Sequence, residues 1–212
     1  TASVERAKAA TASGAFAAEI TPVTVKSRAG ETVVSVDEGP GKVKLDKIAS
    51  LKPAFKKDGT ITAASSSSIN DGAAALVMMR ASTATKLGCK PLARIVGHAT
   101  HAQEPEWFAT APVGATQKAL AKAGWAVGDV DLWEINEAFA VVPMALMKEL
   151  NVPHDKVNVN GGACALGHPI GASGARIIVT LIHALQARGL KKGLATLCIG
   201  GGEATAVALE LL

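Results

Sequence analysis

The chain has no tyrosine, four phenylalanines, three tryptophans and three cysteines among 212 residues. Three cysteines are too few, and odd in number, for a disulfide framework, so a reducing, cytoplasmic setting is expected. The scarcity of aromatic rings weighs against nucleic acid. The one basic segment, with Lys42, Lys44, Lys47, Lys52, Lys56 and Lys57, carries only Phe55 for stacking and no recognised nucleic-acid motif. No run approaches the ~18 apolar residues that span a bilayer, and Thr1–Lys8 has no apolar signal core, so no membrane partner is expected. Metal ligation lacks its parts as well. His98 and His101 have no cysteine or carboxylate at a familiar ligand spacing, so no metal is expected. The glycines Gly167, Gly171 and Gly174 do not fit the dinucleotide pattern G-x-G-x-x-G, and Gly200–Gly202 lacks the Lys-Ser/Thr of a phosphate loop.

The composition is globular: 49% apolar, 19% charged, net charge +4. Residues 1–69 read as an irregular region. A helix runs through about Gly14, and Ile20–Lys26 with Thr32–Val36 read as a hairpin around Arg28-Ala29-Gly30. Asn70–Gly88 reads as a turn, a strand at Ala73–Met79 and a short helix. From Pro91 onward, strands at about Leu92–Gly97, Val130–Glu134, Val157–Val159, Leu194–Ile199 and Ala204–Leu211 alternate with helices at about Val113–Ala123, Glu137–Leu150 and Gly171–Arg188. That alternation predicts an α/β layered domain. Ile177, Ile178, Val179, Leu181, Ile182 and Leu185 leave the last helix little polar surface, so it is expected to lie buried between layers. Gly171, Ala172, Gly174 and Ala175 would let its first turn approach another backbone closely. Gly189 is placed to end it, and Pro143 is expected to kink the helix before it.

Two segments carry chemistry. His168 lies in the run Asn160–Arg176, on a glycine-lined turn, and Pro169 keeps it out of helical conformation. Its imidazole titrates near neutrality and suits proton transfer. Thirty residues on, Cys198 ends an apolar strand and is followed by Gly200, Gly201 and Gly202, whose N–H groups are unobstructed. A thiol there can shuttle a proton if neighbours lower its pKa. Asn136, after the strand Val130–Glu134, is a helix N-cap or a functional amide. Glu137 favours the helix dipole in the first turn. Cys164 reads as a small buried hydrophobe.

These blocks, Asn160–Arg176, Cys198–Gly202 and Asn136–Ala140, together with Asn70–Ala75, resemble signature segments of the thiolases in order and spacing, and within them are closest to the acetyl-CoA acetyltransferases. The likeness covers almost the whole chain. It implies a layered αβαβα fold, with residues 1–69 as the remainder of a coenzyme A-binding loop domain. Residues 70–90 would be the last strand and helix of the N-terminal domain, and 91–212 the C-terminal domain. The resemblance implies condensation of two acetyl-CoA molecules to acetoacetyl-CoA, or thiolysis in reverse.

In that reading His168 activates a nucleophilic cysteine, Cys198 moves the α-proton, Asn136 holds a water of the first oxyanion hole and Gly200 serves the second. Ser67 would contact the pantetheine arm, although the chain has Ser65-Ser66-Ser67 where the family often has Asn-Ala-Ser. Lys42, Val43, Lys44 and Lys47 would lie at the adenosine end, and Phe55, Ala138 and Phe139 along the tunnel wall. Coenzyme A thioesters are the implied substrates, with no metal or redox cofactor. The family's nucleophile lies in its N-terminal half, and neither Cys89 nor Cys164 matches its surroundings. The resemblance therefore implies a polypeptide carrying that half, without which the chain is expected to be inactive and Ala73–Met79 to lack a sheet. A homodimer or tetramer is implied for the complete enzyme. A longer-chain 3-ketoacyl-CoA thiolase and a non-catalytic acyl-CoA-binding protein of the same fold are the alternatives. The ketoacyl synthases' second-histidine block is absent.

Overall fold

Alanine-rich α1 (Ala2–Ser13) buries Val4, Ala7 and Ala10 and ends on Gly14, whose φ of 73° is the left-handed cap only glycine adopts freely. The computed structural model describes residues 1–212. A hairpin follows, β1 (Val23–Ser27) against β2 (Gly30–Val34), in the register Val23↔Val34 and with both strands exposed. It starts three residues later and ends two residues earlier than the sequence pattern suggests. Two single turns, α2 (Gly39–Lys42) and α3 (Leu45–Ile48), precede a long irregular stretch.

The expected strand Ala73–Met79 is not formed. The segment joins no ladder, and Val77 and Met78 are exposed. A strand is defined by its partners, and no sheet runs beside it in this chain. The short helix after it, α4 (Ala81–Lys86), is present.

The layered unit begins at β3 (Ala93–Ala102) and continues through α5 (Ala111–Ala123), β4 (Leu132–Ile135), α6 (Val141–Leu150), α7 (Ala163–Leu166), α8 (Ser173–Arg188), β5 (Lys192–Ile199) and β6 (Glu203–Leu211). The sheet order is β3-β6-β5-β4. β4 and β5 are parallel, as their crossover through α8 requires, while β6 pairs antiparallel with both β5 and β3. On one face α5 and α6 close over Trp133, Ile135, Leu194 and the small residues Ala204, Ala206 and Ala208. On the other, Ile177, Leu181, Ile182 and Leu185 of α8 cover Leu132, Ala195 and Leu209. Close approach is built in: a Cβ on Gly97 would stand 2.9 Å from the Ala119 carbonyl oxygen, so β3 and α5 touch backbone to backbone.

Five details depart from the sequence pattern. Val157 makes a single parallel bridge to Trp133 in place of a strand at Val157–Val159. α6 starts at Val141, four residues late, because Asn136–Ala140 turn inward. Pro143 thereby falls in the first turn, where its missing N–H has no partner to lose, and it breaks no hydrogen-bond ladder. α8 buries one face only, leaving Ile178 and Val179 half-buried, and the expected close approach at its start is absent: a Cβ on Gly171 or Gly174 would meet open space.

Candidate active site

Parallel pairing brings the first two groups together. β4 and β5 run side by side with Ile135 opposite Thr196, and the Asn136 N–H donates to the Thr196 carbonyl at 3.0 Å. Asn136 and Cys198 thus leave the same carboxyl end of the sheet, where α/β proteins form their binding crevices. Cys198 packs in the cluster that Phe108 and Phe139 border. Burial pushes its thiol above the ordinary value. The condition set from the sequence, that neighbours lower the thiol pKa, is not met: no charged neighbour contributes, and desolvation of the thiolate prevails. Gly200 follows in an exposed turn that Gly202 closes at φ 95°.

His168 arrives from the other side of the crevice. Its N–H donates to the Ser68 carbonyl at 2.8 Å, and Ile69 and His168 form a parallel bridge. Gly167 at φ 91° makes the turn ahead of it. The imidazole Nε2 stands 3.4 Å from Asn136 Nδ2, and Nδ1 stands 2.6 Å from Ser173 Oγ. Burial, and then the Arg176 guanidinium, lower the histidine pKa, so the ring is neutral at pH 7. Asn136 is 1% exposed, and its Oδ1 accepts no hydrogen bond from the protein. A buried amide with a free oxygen beside a neutral imidazole is an arrangement suited to holding a polar ligand atom or water.

The glycine turn is held by a group the sequence pattern assigned to a helix terminus. Glu137 is not in a helix; its carboxylate is buried and accepts from Ser3 Oγ at 2.6 Å, Asn158 Nδ2 at 2.9 Å and the Cys164 N–H at 3.0 Å. Asn158 also brackets Ile135, accepting from its N–H and donating to its carbonyl, both at 2.8 Å. Its φ of 46° is one asparagine tolerates better than most residues. A side chain on Gly162 would overlap the Glu137 carboxylate. Ser3 and Asn158 escaped the sequence reading, and Glu137 was given another role, because their partners lie 21 or more residues away. Ser173, whose partners His168 and Pro169 are close in sequence, was passed over among the small residues at the start of α8. Cys164 has its thiol pushed up to about 12, by burial first and by Glu137 second, which fits an inert residue.

Among the remaining residues singled out from the sequence, Ser67 is joined to Ala138: its N–H and its hydroxyl each donate to the Ala138 carbonyl at 3.0 Å. Phe139 meets Phe55 and Phe108 edge-on at 6.3 and 6.2 Å between ring centres. Lys42, Val43, Lys44 and Lys47 lie apart from these, on the α2–α3 segment packed over α1 and α7. There Val43 accepts from Lys8 Nζ at 2.9 Å, and Lys42 pairs with Glu38. No group of three or more histidine, cysteine, aspartate or glutamate side chains is placed to hold a metal ion. No helix is long and apolar enough to cross a membrane.

Two family sequence models match the chain: the thiolase C-terminal domain over residues 89–211 and the thiolase N-terminal domain over residues 1–82. The chain belongs to the thiolase family. It is 56% identical over 210 residues to the acetyl-CoA acetyltransferase of Chromobacterium violaceum, an alignment covering 98% of this chain and 54% of that protein. The crystal structure of Bacillus anthracis acetyl-CoA acetyltransferase is 48% identical, covers 100% of this chain and 54% of its own, and superposes with a TM-score of 0.96. Human mitochondrial 3-ketoacyl-CoA thiolase, 39% identical with the same coverage, gives a TM-score of 0.90. The α/β architecture is thus the thiolase fold, and the chain spans about half the length of the curated relatives it matches.

Proposed function

We propose that this chain supplies the acid–base part of an acetyl-CoA C-acetyltransferase, which condenses two acetyl-CoA molecules to acetoacetyl-CoA and runs thiolysis in reverse. The observation that carries the reading is the contact of His168 with Asn136 at the sheet end that also carries Cys198. Carbon–carbon bond formation beside a thioester needs a thiol to carry the acyl group, a base for the α-proton and donors for two oxyanions. His168 takes the proton of a nucleophilic cysteine borne on an N-terminal thiolase portion. With a water held by Asn136, it then donates to the first oxyanion. Cys198 moves the α-proton, and the Gly200 N–H faces the second oxyanion. Ser67, Ala138, Phe55 and Phe139 line the way for the pantetheine arm, with Lys42, Val43, Lys44 and Lys47 toward the coenzyme's phosphates.

In this division residues 1–69 belong to the coenzyme-binding loop domain, 70–90 to the N-terminal domain and 91–212 to the C-terminal domain. The exposed apolar segment around Val77 supports a sheet contributed by the N-terminal portion. The complete enzyme is a cytoplasmic homodimer or tetramer.

The test is acetoacetyl-CoA thiolysis by this chain assembled with the N-terminal portion of the Chromobacterium violaceum relative. Thiolysis is expected from the assembly and not from the chain alone. Cys198→Ala and His168→Ala should each lower turnover by about 10²–10⁴. Full activity in Cys198→Ala would refute its role in moving the α-proton. The similarity to human 3-ketoacyl-CoA thiolase supports a second reading, which faster cleavage of longer 3-ketoacyl-CoA would favour.

A further inference from the structure

Ser173 opens α8 and is 1% exposed, yet the thiolase chemistry outlined above gives it no part. Its hydroxyl lies 2.6 Å from His168 Nδ1 and 3.1 Å from the Pro169 carbonyl oxygen, with no other partner. A hydroxyl has one hydrogen to give. If it goes to Pro169, the oxygen is left to accept from an Nδ1–H. Nε2 then carries the lone pair, and the Asn136 amide N–H, 3.4 Å away, points at that lone pair. If the hydrogen goes instead to Nδ1, the ring carries Nε2–H, which meets the donor Nδ2 of Asn136. Turning that amide over would mend this clash only by burying an NH₂ group without an acceptor. The first assignment leaves Asn136 Oδ1 and one of its N–H groups without a partner; the second leaves that oxygen unpaired and also sets two donors, Nε2–H and Nδ2, against each other.

We propose that Ser173 is a positioning residue that fixes His168 as the Nδ1–H tautomer, relaying its own hydrogen to Pro169 and keeping the Nε2 lone pair turned toward Asn136. The inference rests on the proposed role of His168 as the base. A base must present its lone pair, and which ring nitrogen does so is set by the hydrogen bond the other one makes. Serine is a weaker anchor than the carboxylate that performs this task in serine-protease triads, so the dependence on it should be milder than the ~10⁴-fold seen there. Burial, and secondarily Arg176, lower the ring's pKa and favour its neutral form, in which the tautomer remains to be fixed.

Long-range ¹H–¹⁵N correlation spectra of the chain, labelled at its five histidines, read the tautomer directly. His168 is expected to show a protonated Nδ1 and an unprotonated Nε2 at neutral pH. In Ser173→Ala the two tautomers should mix, and in Ser173→Thr, which keeps a hydroxyl, the Nδ1–H form should return. A protonated Nε2 in the unaltered chain overturns the proposal, as does an unchanged tautomer in a folded Ser173→Ala variant. Should Ser173→Ala fail to fold, the spectrum of the unaltered chain still decides. In the assembled enzyme, Ser173→Ala should lower kcat about tenfold with KM unchanged, the value of one hydrogen bond. Retained thiolysis in His168→Ala would defeat the role of His168 as base while leaving the tautomer result intact, so the two failures are distinguishable.

Discussion

Replacing Glu137 with alanine tests the reading of this carboxylate as the clasp of the glycine turn that carries His168. Three donors end on it: Ser3 Oγ, Asn158 Nδ2 and the Cys164 N–H. Ser3 is half-buried and has a second acceptor in the Gly162 carbonyl at 3.3 Å, so its hydroxyl can turn away at small expense. The Asn158 amide and the Cys164 N–H lie inside and find no substitute. Each buried donor left unpaired costs about 1–3 kcal/mol, giving about 3 kcal/mol for the pair. Loss of the side chain's packing adds about 1 kcal/mol, for a total near ~4 kcal/mol. Urea unfolding followed by far-UV circular dichroism measures the change from the shift in midpoint. Exchange of the Cys164 amide hydrogen, followed in parallel, should accelerate by the same free energy if the turn opens with the whole fold, and by more if it opens alone. A loss below ~1 kcal/mol refutes the clasp. So does simple additivity of Glu137→Ala with Asn158→Ala, since residues sharing one network must couple.

Three further outcomes are expected. Gly162→Ala should destabilise by a similar amount, ~3 kcal/mol, because its Cβ overlaps the same carboxylate; urea midpoints check this against Glu137→Ala. Under alkylation at pH 8, peptide mapping by mass spectrometry should find exposed Cys89 modified first, with Cys198 protected by burial and half-buried Cys164 by its raised thiol pKa; equal labelling of Cys164 would contradict that raised pKa. Glu134 stands 3.6 Å from Arg176, but burial outweighs the guanidinium and raises its carboxyl from 4.5 to about 8. The folded state then holds a proton that the unfolded state releases. Stability is therefore fully present below pH 4.5 and is lost as pH rises through about 8, by at most ~1.4 kcal/mol per pH unit. Glu134→Gln should flatten that slope in a series of thermal melts, and an unchanged slope would place the titration elsewhere.

The alternation of strands and helices after Pro91 was legible because each element's pattern is local: apolar runs, and a glycine stop at Gly189 that does adopt a left-handed cap. His168, Asn136 and Cys198 were legible because their segments are short and compositionally odd. What failed was whatever depends on distant partners. Glu137 looked like a residue of a first helical turn, since nothing nearby reveals that Ser3 and Asn158 would draw it inward. Ala73–Met79 has the composition of a strand, but composition does not supply a neighbouring ladder. Ser173 sat in a run of small residues that suggested close backbone contact, whereas its hydroxyl, not its size, engages the histidine.

The closure of the histidine turn by α1 has a temporal side. Ser3 reaches Glu137 and Gly162, and the Arg6 guanidinium donates to the Val157 carbonyl at 2.6 Å and the His154 carbonyl at 3.1 Å. These contacts bridge separations of 134 to 159 residues. During synthesis at roughly 5–20 residues per second, α1 leaves the ribosome roughly 8 to 30 s before the turn it must grip exists. Over that interval it offers little that is sticky: one valine and a few alanines are all it will bury. The turn can therefore take its final shape only after its own synthesis, on a helix made well before it.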